Sequence, residues 1–359
     1  MRLEDSNLTS GCAVSCAPTL RLHGNSSSPN ARQSDHLQDV RLFNRIFTSS
    51  SIIGLLSIVG WDTLPLARYP LPVTRYPLPV SARTGVRVSY VSNSSTVLDV
   101  VLVAHEDDWQ LFMGDVVAER VRTGRPVVFI YLTAGDDGRD SLYWTTRERG
   151  ALESTRVATA AAADTAFGQC STTRALEHVI RRCTVGNTES YFLRLPDGRR
   201  DGMGFAGHSY QSLRKLRGKR ITSMSALDGS TAYDGWADLL TTVATLVGEG
   251  SADRAVTLHT SDPSVVVNPH DHFDHRMAGL LVAESRRKHR WSVVYYTGYA
   301  LASRAANRSR DQARQKVALF QAYDAVMTRA NPSWSAYREH PAFYSECMLR
   351  TYGRQVSRR

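Results

Sequence analysis

Apolar residues form two kinds of pattern along the chain: short continuous runs and stripes with helical spacing. The two kinds of pattern alternate. Short apolar runs predict strands at residues 97–104, 126–132, 255–258 and 291–296. Apolar stripes with helical spacing predict helices at residues 108–122, 148–163, 235–246, 275–287 and 312–328. Strands that alternate with helices are typical of βαβ units. We therefore expect an α/β, Rossmann-like three-layer fold with a largely parallel sheet, in which residues 97–104 form a central strand and residues 86–90 an edge strand.

The first 85 residues lack these patterns and predict a separate leader. Residues 1–39 are polar and without pattern, which is typical of disorder. In residues 40–67 two arginines precede a short apolar segment and a small-residue exit, the order of a secretory signal peptide. A short apolar anchor or a loosely packed segment is the alternative. Residues 68–85 carry two RYPLPV repeats and predict an extended proline-rich linker.

We accordingly expect a disordered leader over residues 1–85 and one folded domain over residues 86–359. If residues 40–67 act as a signal peptide, translation begins near Val40 and the protein is secreted or held in the cell envelope; otherwise it is cytoplasmic. The apolar segment is too short for a stable membrane span.

Charge and cysteine content narrow the classes of function. The formal net charge is +10, from 44 basic and 34 acidic residues, but the excess is dispersed arginine without interleaved aromatic residues. We therefore expect no nucleic-acid partner. The five cysteines form no Cys-x-x-Cys pair, which disfavours a structural zinc knuckle. Cys170 and Cys183 are near enough in sequence for a disulfide, and two buried thiols are the alternative.

The clearest predicted strand, at residues 97–104, ends in the polar cluster His105, Glu106, Asp107 and Asp108. In a parallel sheet, ligands bind beyond the carboxyl ends of the strands, so this turn lies where a functional site is expected. One acid of such a turn can coordinate a metal while its neighbour acts on a bound water. The same residue types also form helix caps and turns, so the turn alone does not establish a metal site.

A second polar cluster, NPHDHFDH at residues 268–275, lies at the start of another predicted helix. His272 and His275 are three residues apart and share a helix face. Asp274 can accept an imidazole proton and so determine its tautomer. Together the two clusters favour one metal site. Histidine and aspartate donors with an open fourth position suit catalytic zinc, and such a centre hydrolyses either a carbonyl or a phosphoryl bond.

The two clusters also resemble the motifs of a known family. VLVAHEDD, at residues 101–108, is similar to the Ala-His-Pro-Asp-Asp motif of the PIG-L/LmbE-like zinc N-deacetylases. DHFDHRMAG, at residues 271–279, resembles their second motif. The resemblance covers roughly residues 97–352 and is nearest to the bacterial branch with glycopeptide-antibiotic sugar deacetylases. It implies a metal-dependent amidohydrolase that removes the N-acyl group, which we expect to be N-acetyl, from an N-acylglucosamine-containing glycoconjugate.

Carried over position by position, the resemblance implies roles for six residues. It implies one zinc ion per chain, or another divalent metal, bound by His105, Asp108 and His275. Asp107 matches the general base that activates water. His272 matches the histidine that stabilises the oxyanion, and Asp274 matches the residue that orients it.

Candidate substrate residues are less well defined by the motifs. Arg147 and Arg149 flank Glu148, and Arg147 is the candidate for the substrate-binding arginine of the family. We expect three further residues to contact sugar hydroxyls, with turn formation as the alternative: Asp136, Arg139 and Asp197.

Two residues depart from the family pattern beside the predicted ligands. Glu106 stands where the motif usually has proline, and Trp109 where an acid often follows. Neither is itself a predicted ligand, so the departures bear on substrate preference more than on metal binding. The alternatives are a metal phosphoesterase and a catalytically inactive carbohydrate-binding domain. The sequence leaves the oligomeric state open.

Overall fold

The computed structural model describes residues 96–160, 169–251 and 254–356. Its strands are β1 (Val97–Val103), β2 (Val127–Thr133), β3 (Gln169–Ala175), β4 (His178–Val185), β5 (Thr188–Leu195), β6 (Met224–Ser225), β7 (Ala232–Tyr233), β8 (Ala255–Ser261), β9 (Ser292–Tyr296) and β10 (Gly353–Val356). Its helices are α1 (Asp108–Arg122), α2 (Ser141–Thr159), α3 (Leu213–Arg217), α4 (Gly235–Ser251), α5 (Phe273–Ser285), α6 (Arg310–Ala330), α7 (Ala336–Glu339) and α8 (Pro341–Met348).

Eight of the strands form one sheet in the order β10-β9-β8-β1-β2-β5-β4-β3. The five neighbours β9, β8, β1, β2 and β5 are parallel, while β10 and β4 pair antiparallel at either side of them. Helices α1, α2 and α6 pack together on one face, and α4 and α5 cover the other. The predicted three-layer α/β fold with a largely parallel sheet is therefore confirmed.

Strand β1 lies at the centre of the sheet because both of its faces are apolar. Leu98, Val100 and Leu102 belong to the core that includes α4 and α5. On the opposite face, Trp109 at the start of α1 packs against Phe129 of β2, with 5.1 Å between ring centroids. Burial on both faces stabilises β1 by the hydrophobic effect and fixes the direction in which its polar carboxyl end points.

The structure extends the predicted elements at several places. The helix predicted at residues 148–163 begins earlier, at Ser141, because the side chain of Asp140 accepts a hydrogen bond from the backbone N–H of Tyr143. The antiparallel strands β3 and β4 were not predicted; β3, QCSTTRA, is mostly exposed and carries no apolar run. The leader and the predicted strand at residues 86–90 lie outside the described residues, so the domain boundary stays a prediction.

The structure decides between the two alternatives that the sequence left open for one pair of cysteines. Cys170 of β3 and Cys183 of β4 are joined by a disulfide between opposite residues of the two strands. None of the described helices has the length and apolar content needed to cross a bilayer.

Candidate metal centre and active site

The polar clusters meet at the carboxyl ends of the parallel strands. Residues 104–107 form the turn from β1 into α1, and residues 262–272 connect β8 to α5. Because β1 lies between β2 and β8, the chain leaves β1 on one side and returns beside it on the other. That change of direction opens the crevice in which α/β proteins bind ligands.

Three donor atoms face one another in this crevice, and we call them the donor triangle. Nδ1 of His105 lies 3.1 Å from Nε2 of His275. Oδ1 of Asp108 lies 3.0 Å from Nε2 of His275 and 3.6 Å from Nδ1 of His105. Tetrahedral zinc with bonds of about 2.0–2.1 Å keeps its ligands roughly 3.4 Å apart. The spacing of the donor triangle therefore fits a metal ion of that size.

The backbone holds Asp108 so that one carboxylate oxygen remains available. Oδ2 accepts hydrogen bonds from the backbone N–H groups of Ala104 (3.1 Å) and His105 (2.9 Å). Oδ1 is left to face the two imidazoles. The tight turn after β1 thus explains why the acid three residues after His105 points back toward it.

Asp271 fixes the tautomer of His275 and was not among the predicted site residues. Its Oδ1 accepts a hydrogen bond from Nδ1 of His275 at 3.0 Å. The proton on Nδ1 leaves Nε2 with a lone pair that faces the donor triangle, as a metal-binding histidine requires. The four-residue spacing of Asp271 and His275 across the start of α5 was the signal available in the sequence.

Buried charge in the donor triangle shifts the pKa values of its members in opposite directions. Burial lowers the pKa of His275, but Asp108 and Asp271 more than offset it and raise that pKa to about 10. Burial raises the pKa of Asp108, yet His275 and His105 hold it well below its usual range. The ion-free cluster thus retains protons next to a carboxylate, and a cation can replace them.

His272, Asp274 and Asp197 form a second group on the other side of His105. The backbone N–H of Asp274 donates to Nδ1 of His272 at 3.2 Å, which caps α5. Nε2 of His272 lies 3.5 Å from Oδ1 of Asp197. Nε2 of His105 has no hydrogen-bond partner among the described residues and lies 3.4 Å from Asp197. Donor atoms of these four residues all lie within 4.8 Å of one another.

Asp107 and Glu106 share one arginine. Arg147 of α2 donates from Nη2 to Asp107 at 2.6 Å and from Nε to Glu106 at 3.1 Å. Burial raises the pKa of Glu106 to about 8, and the neighbouring Arg147 opposes that rise. Gly135 makes room for the pair: its φ is +51°, and a Cβ there would lie 2.7 Å from Nε of Arg147. Glu106 thus anchors the arginine that holds Asp107.

Two predicted substrate residues make no hydrogen bond or ion pair with His105, His272 or His275. Asp136 is fully buried and accepts hydrogen bonds from the backbone N–H of Asp197 (2.7 Å) and from Nε2 of His208 (2.8 Å). Through these contacts Asp136 stabilises the loop that carries Asp197. Arg139 is half-exposed, pairs with Asp137 at 3.2 Å and lies over the ring of Tyr143. Contacts of either residue with a sugar stay predictions.

The site gathers histidine and carboxylate donors at the carboxyl ends of parallel strands. This arrangement is typical of metal-dependent hydrolases of the α/β class. A family profile described as PIG-L: GlcNAc-PI de-N-acetylase matches residues 100–285, which is more than half of the chain. The chain belongs to this family, and it is a hydrolytic deacetylase. The predicted family resemblance is thereby confirmed. No curated protein matches the chain.

Three solved structures to which the chain is similar share little sequence with it. N,N'-diacetylchitobiose deacetylase from Pyrococcus horikoshii shares 15% identity over 73% of this chain and 84% of its own, with a TM-score of 0.36. A deacetylase of the teicoplanin biosynthetic pathway shares 12% over 72% and 95%, with a TM-score of 0.40. The hydratase GalB from Pseudomonas putida shares 12% over 69% and 82%, with a TM-score of 0.38.

Proposed function

We propose that the protein hydrolyses the N-acetyl amide of an N-acetylglucosamine-containing glycoconjugate, with one zinc ion held by His105, Asp108 and His275. The donor triangle carries this proposal: three donors lie 3.0–3.6 Å apart, and Asp108 keeps one oxygen free toward the imidazoles. When bound, zinc supplies Lewis acidity toward the amide carbonyl and toward water.

Asp107 is the base that takes the proton of the attacking water. Arg147 holds its Oδ1 at 2.6 Å, which restricts the carboxylate to one orientation. The second oxygen of Asp107 remains available for the proton. A carboxylate positioned in this way contributes general-base catalysis.

His272 donates a hydrogen bond to the reacting group from Nε2. Its Nδ1 accepts a hydrogen bond from the backbone N–H of Asp274, so the ring proton resides on Nε2. Asp197 lies 3.5 Å from Nε2 and is the carboxylate nearest to that proton. The carboxylate of Asp274 lies 3.8 Å from Nδ1, and Asp274 therefore orients His272 through its backbone. Nε2–H is positioned to stabilise an oxyanion through a hydrogen bond, and the proton that Asp107 takes from water can pass to the departing amine.

The full chain loaded with zinc tests the proposal on N-acetylglucosamine oligosaccharides, with free amine and acetate as the readouts. We expect Asp107→Asn to lower the rate of release at least 100-fold while the bound zinc, measured by atomic absorption, stays at one per chain. Asp311→Asn is the matched control, because Asp311 is exposed and pairs with Arg314, outside the site; it should retain the wild-type rate.

Three results would contradict the proposal. Retained activity in Asp107→Asn would remove the assigned base. Cleavage of phosphate esters without release of acetate would favour a phosphoesterase. Binding of the sugars without any turnover would favour an inactive carbohydrate-binding domain.

A further inference from the structure

Two adjoining cavities beside the donor triangle form one groove lined by arginines. The first has a volume of about 450 Å³ and the second about 230 Å³, and both have Phe273 and Arg276 in their walls. The shared wall makes the cavities neighbours along one surface. We call it the arginine groove and define it by six residues: Arg199, Arg200, Arg214, Arg217, Arg220 and Arg276.

One end of the arginine groove borders the candidate active site. Asp271, which accepts the hydrogen bond from His275, lines the first cavity. Arg200 lies over the ring of Tyr299, 5.8 Å from its centroid, and Tyr299 contacts the ring of His275. A ligand bound at the donor triangle can therefore extend directly along the arginines.

Few acids neutralise the arginine groove. Asp262 and Asp271 line the first cavity but are engaged by Arg354 and His275. Arg217 pairs with Glu284 at 2.8 Å and Arg199 with Asp201 at 3.5 Å. The other four arginines have no carboxylate of the described residues within ion-pair distance. Arg200 donates to the backbone carbonyl oxygen of His270, and Arg214 to that of Asp201, so these two are held in place but keep their full charge. These four unneutralised guanidinium groups favour an anionic ligand.

Phe273 gives two of the guanidinium groups a fixed position. Arg214 lies 4.4 Å and Arg276 5.5 Å from the centroid of its ring. Nε of Arg276 is buried and has no hydrogen-bond partner among the described residues. Planar guanidinium groups held in this way match the geometry of carboxylates and sulfates.

We propose that the arginine groove binds the anionic groups of an acidic glycan, so that the preferred substrate carries carboxylate or sulfate groups on the sugars next to the reacting N-acetylglucosamine. This inference rests on the proposed deacetylase function. A nucleic acid is disfavoured, because stacked arginines already lie over the one aromatic ring that lines both cavities. A membrane surface is disfavoured because the arginines line concave cavities rather than a protruding face.

The test compares tetrasaccharides of the same length on the zinc-loaded full chain. One contains only N-acetylglucosamine, one alternates it with glucuronate, and one is the sulfated form of the second. We expect wild-type kcat/KM to be at least tenfold higher for an anionic tetrasaccharide at low salt, and the preference to fall as salt screens the charges. The two anionic substrates distinguish carboxylate from sulfate as the preferred group.

The double variant Arg214→Gln, Arg220→Gln should lose at least tenfold of this preference and leave kcat/KM for the neutral tetrasaccharide unchanged. Arg314→Gln is the control, because Arg314 is an exposed arginine on α6, outside the groove. Equal wild-type kcat/KM values for neutral and anionic substrates, or an unchanged preference in the double variant, would overturn the inference.

A binding measurement tests this inference independently of the proposed deacetylase activity. Calorimetry on Asp107→Asn should give a Kd for an anionic tetrasaccharide at least tenfold lower than for the neutral one, and the two groove substitutions should remove the difference, even if wild type deacetylates none of the sugars. Equal Kd values, or pelleting with phosphatidylglycerol vesicles in place of glycan binding, would overturn it.

Discussion

At the residue scale, the site depends on which partner each of three consecutive carboxylates contacts. Asp108 turns toward the two imidazoles because backbone N–H groups hold its other oxygen. Asp107 turns toward Arg147 instead. Glu106, at the position where the family motif usually has proline, supports that same arginine. A residue that looked like an unexplained departure in the sequence is thus tied to the predicted base.

Asp271→Asn tests the support of a metal ligand. An amide cannot accept the Nδ1 proton of His275 as strongly as a carboxylate, so we expect zinc affinity to fall about 10- to 100-fold. Competition with a chromogenic chelator measures it. Asp311→Asn removes an equal charge from the exposed first turn of α6 and should leave the affinity unchanged. Wild-type affinity in Asp271→Asn would show that this hydrogen bond does not matter for the metal.

At the scale of elements, the packing of helices α2 and α6 positions Arg147 at the candidate active site. Gly150 of α2 faces Tyr323 of α6, and a Cβ on Gly150 would lie 2.6 Å from the Tyr323 ring. Arg147, three residues earlier on α2, lies 5.7 Å from the centroid of that same ring. Close packing of the two helices therefore determines where Arg147 reaches the turn after β1.

Gly150→Ala should destabilise the protein even though alanine favours helix. The gain in helix propensity is about 1 kcal/mol, whereas overpacking costs about 1–3 kcal/mol. Gly248→Ala on α4 is the matched control, since a Cβ there meets nothing within 4 Å; it should stabilise by up to about 1 kcal/mol. Urea unfolding measures both free energies. Equal stabilisation by the two substitutions would show that α2 can shift freely against α6.

At the scale of the whole molecule, Lys316 fastens the end of the described chain to the helical layer. Its side chain is fully buried in α6 and donates hydrogen bonds to the carbonyl oxygens of Cys347 and Arg350 and to Oγ1 of Thr351. Burial lowers the pKa of Lys316 to about 8, against the partial opposition of Asp115. The segment that leads into β10 is thus held by one buried amine.

That pKa predicts a pH dependence of stability. The folded pKa is about 8 and the ordinary value is 10.5, so between these values the unfolded chain binds more protons. Lys316 should therefore add about 2 kcal/mol to the free energy of unfolding between pH 8 and pH 10, separately from what other groups contribute. Lys316→Met should remove that contribution, as measured by urea unfolding at pH 8, 9 and 10. Parallel pH profiles for the two proteins would refute the assignment.

The sequence by itself determined four of the five parallel strands and the two polar clusters; β5 was not predicted, although most of its side chains are buried. Continuous apolar runs and helical stripes report burial directly, so β1, β2, β8, β9 and most of the large helices were predictable. The mostly exposed β3 and the edge strand β10 carry no such run, because few of their side chains enter a core. Their places in the sheet depend on backbone pairing, which leaves little trace in a single sequence.

Apart from the two motif clusters, only the tertiary structure decided which distant residues act together. Residues of α2, the β5 loop and the β8 loop meet at β1, and no local spacing specifies that Arg147 reaches Asp107 or that Asp197 reaches His272. Local periodicity records which side chains are buried. It does not record contacts across tens of residues, since these depend on how helices and strands pack against one another. The predicted chemistry was local in the sequence, whereas its support and the arginine groove arise from the fold.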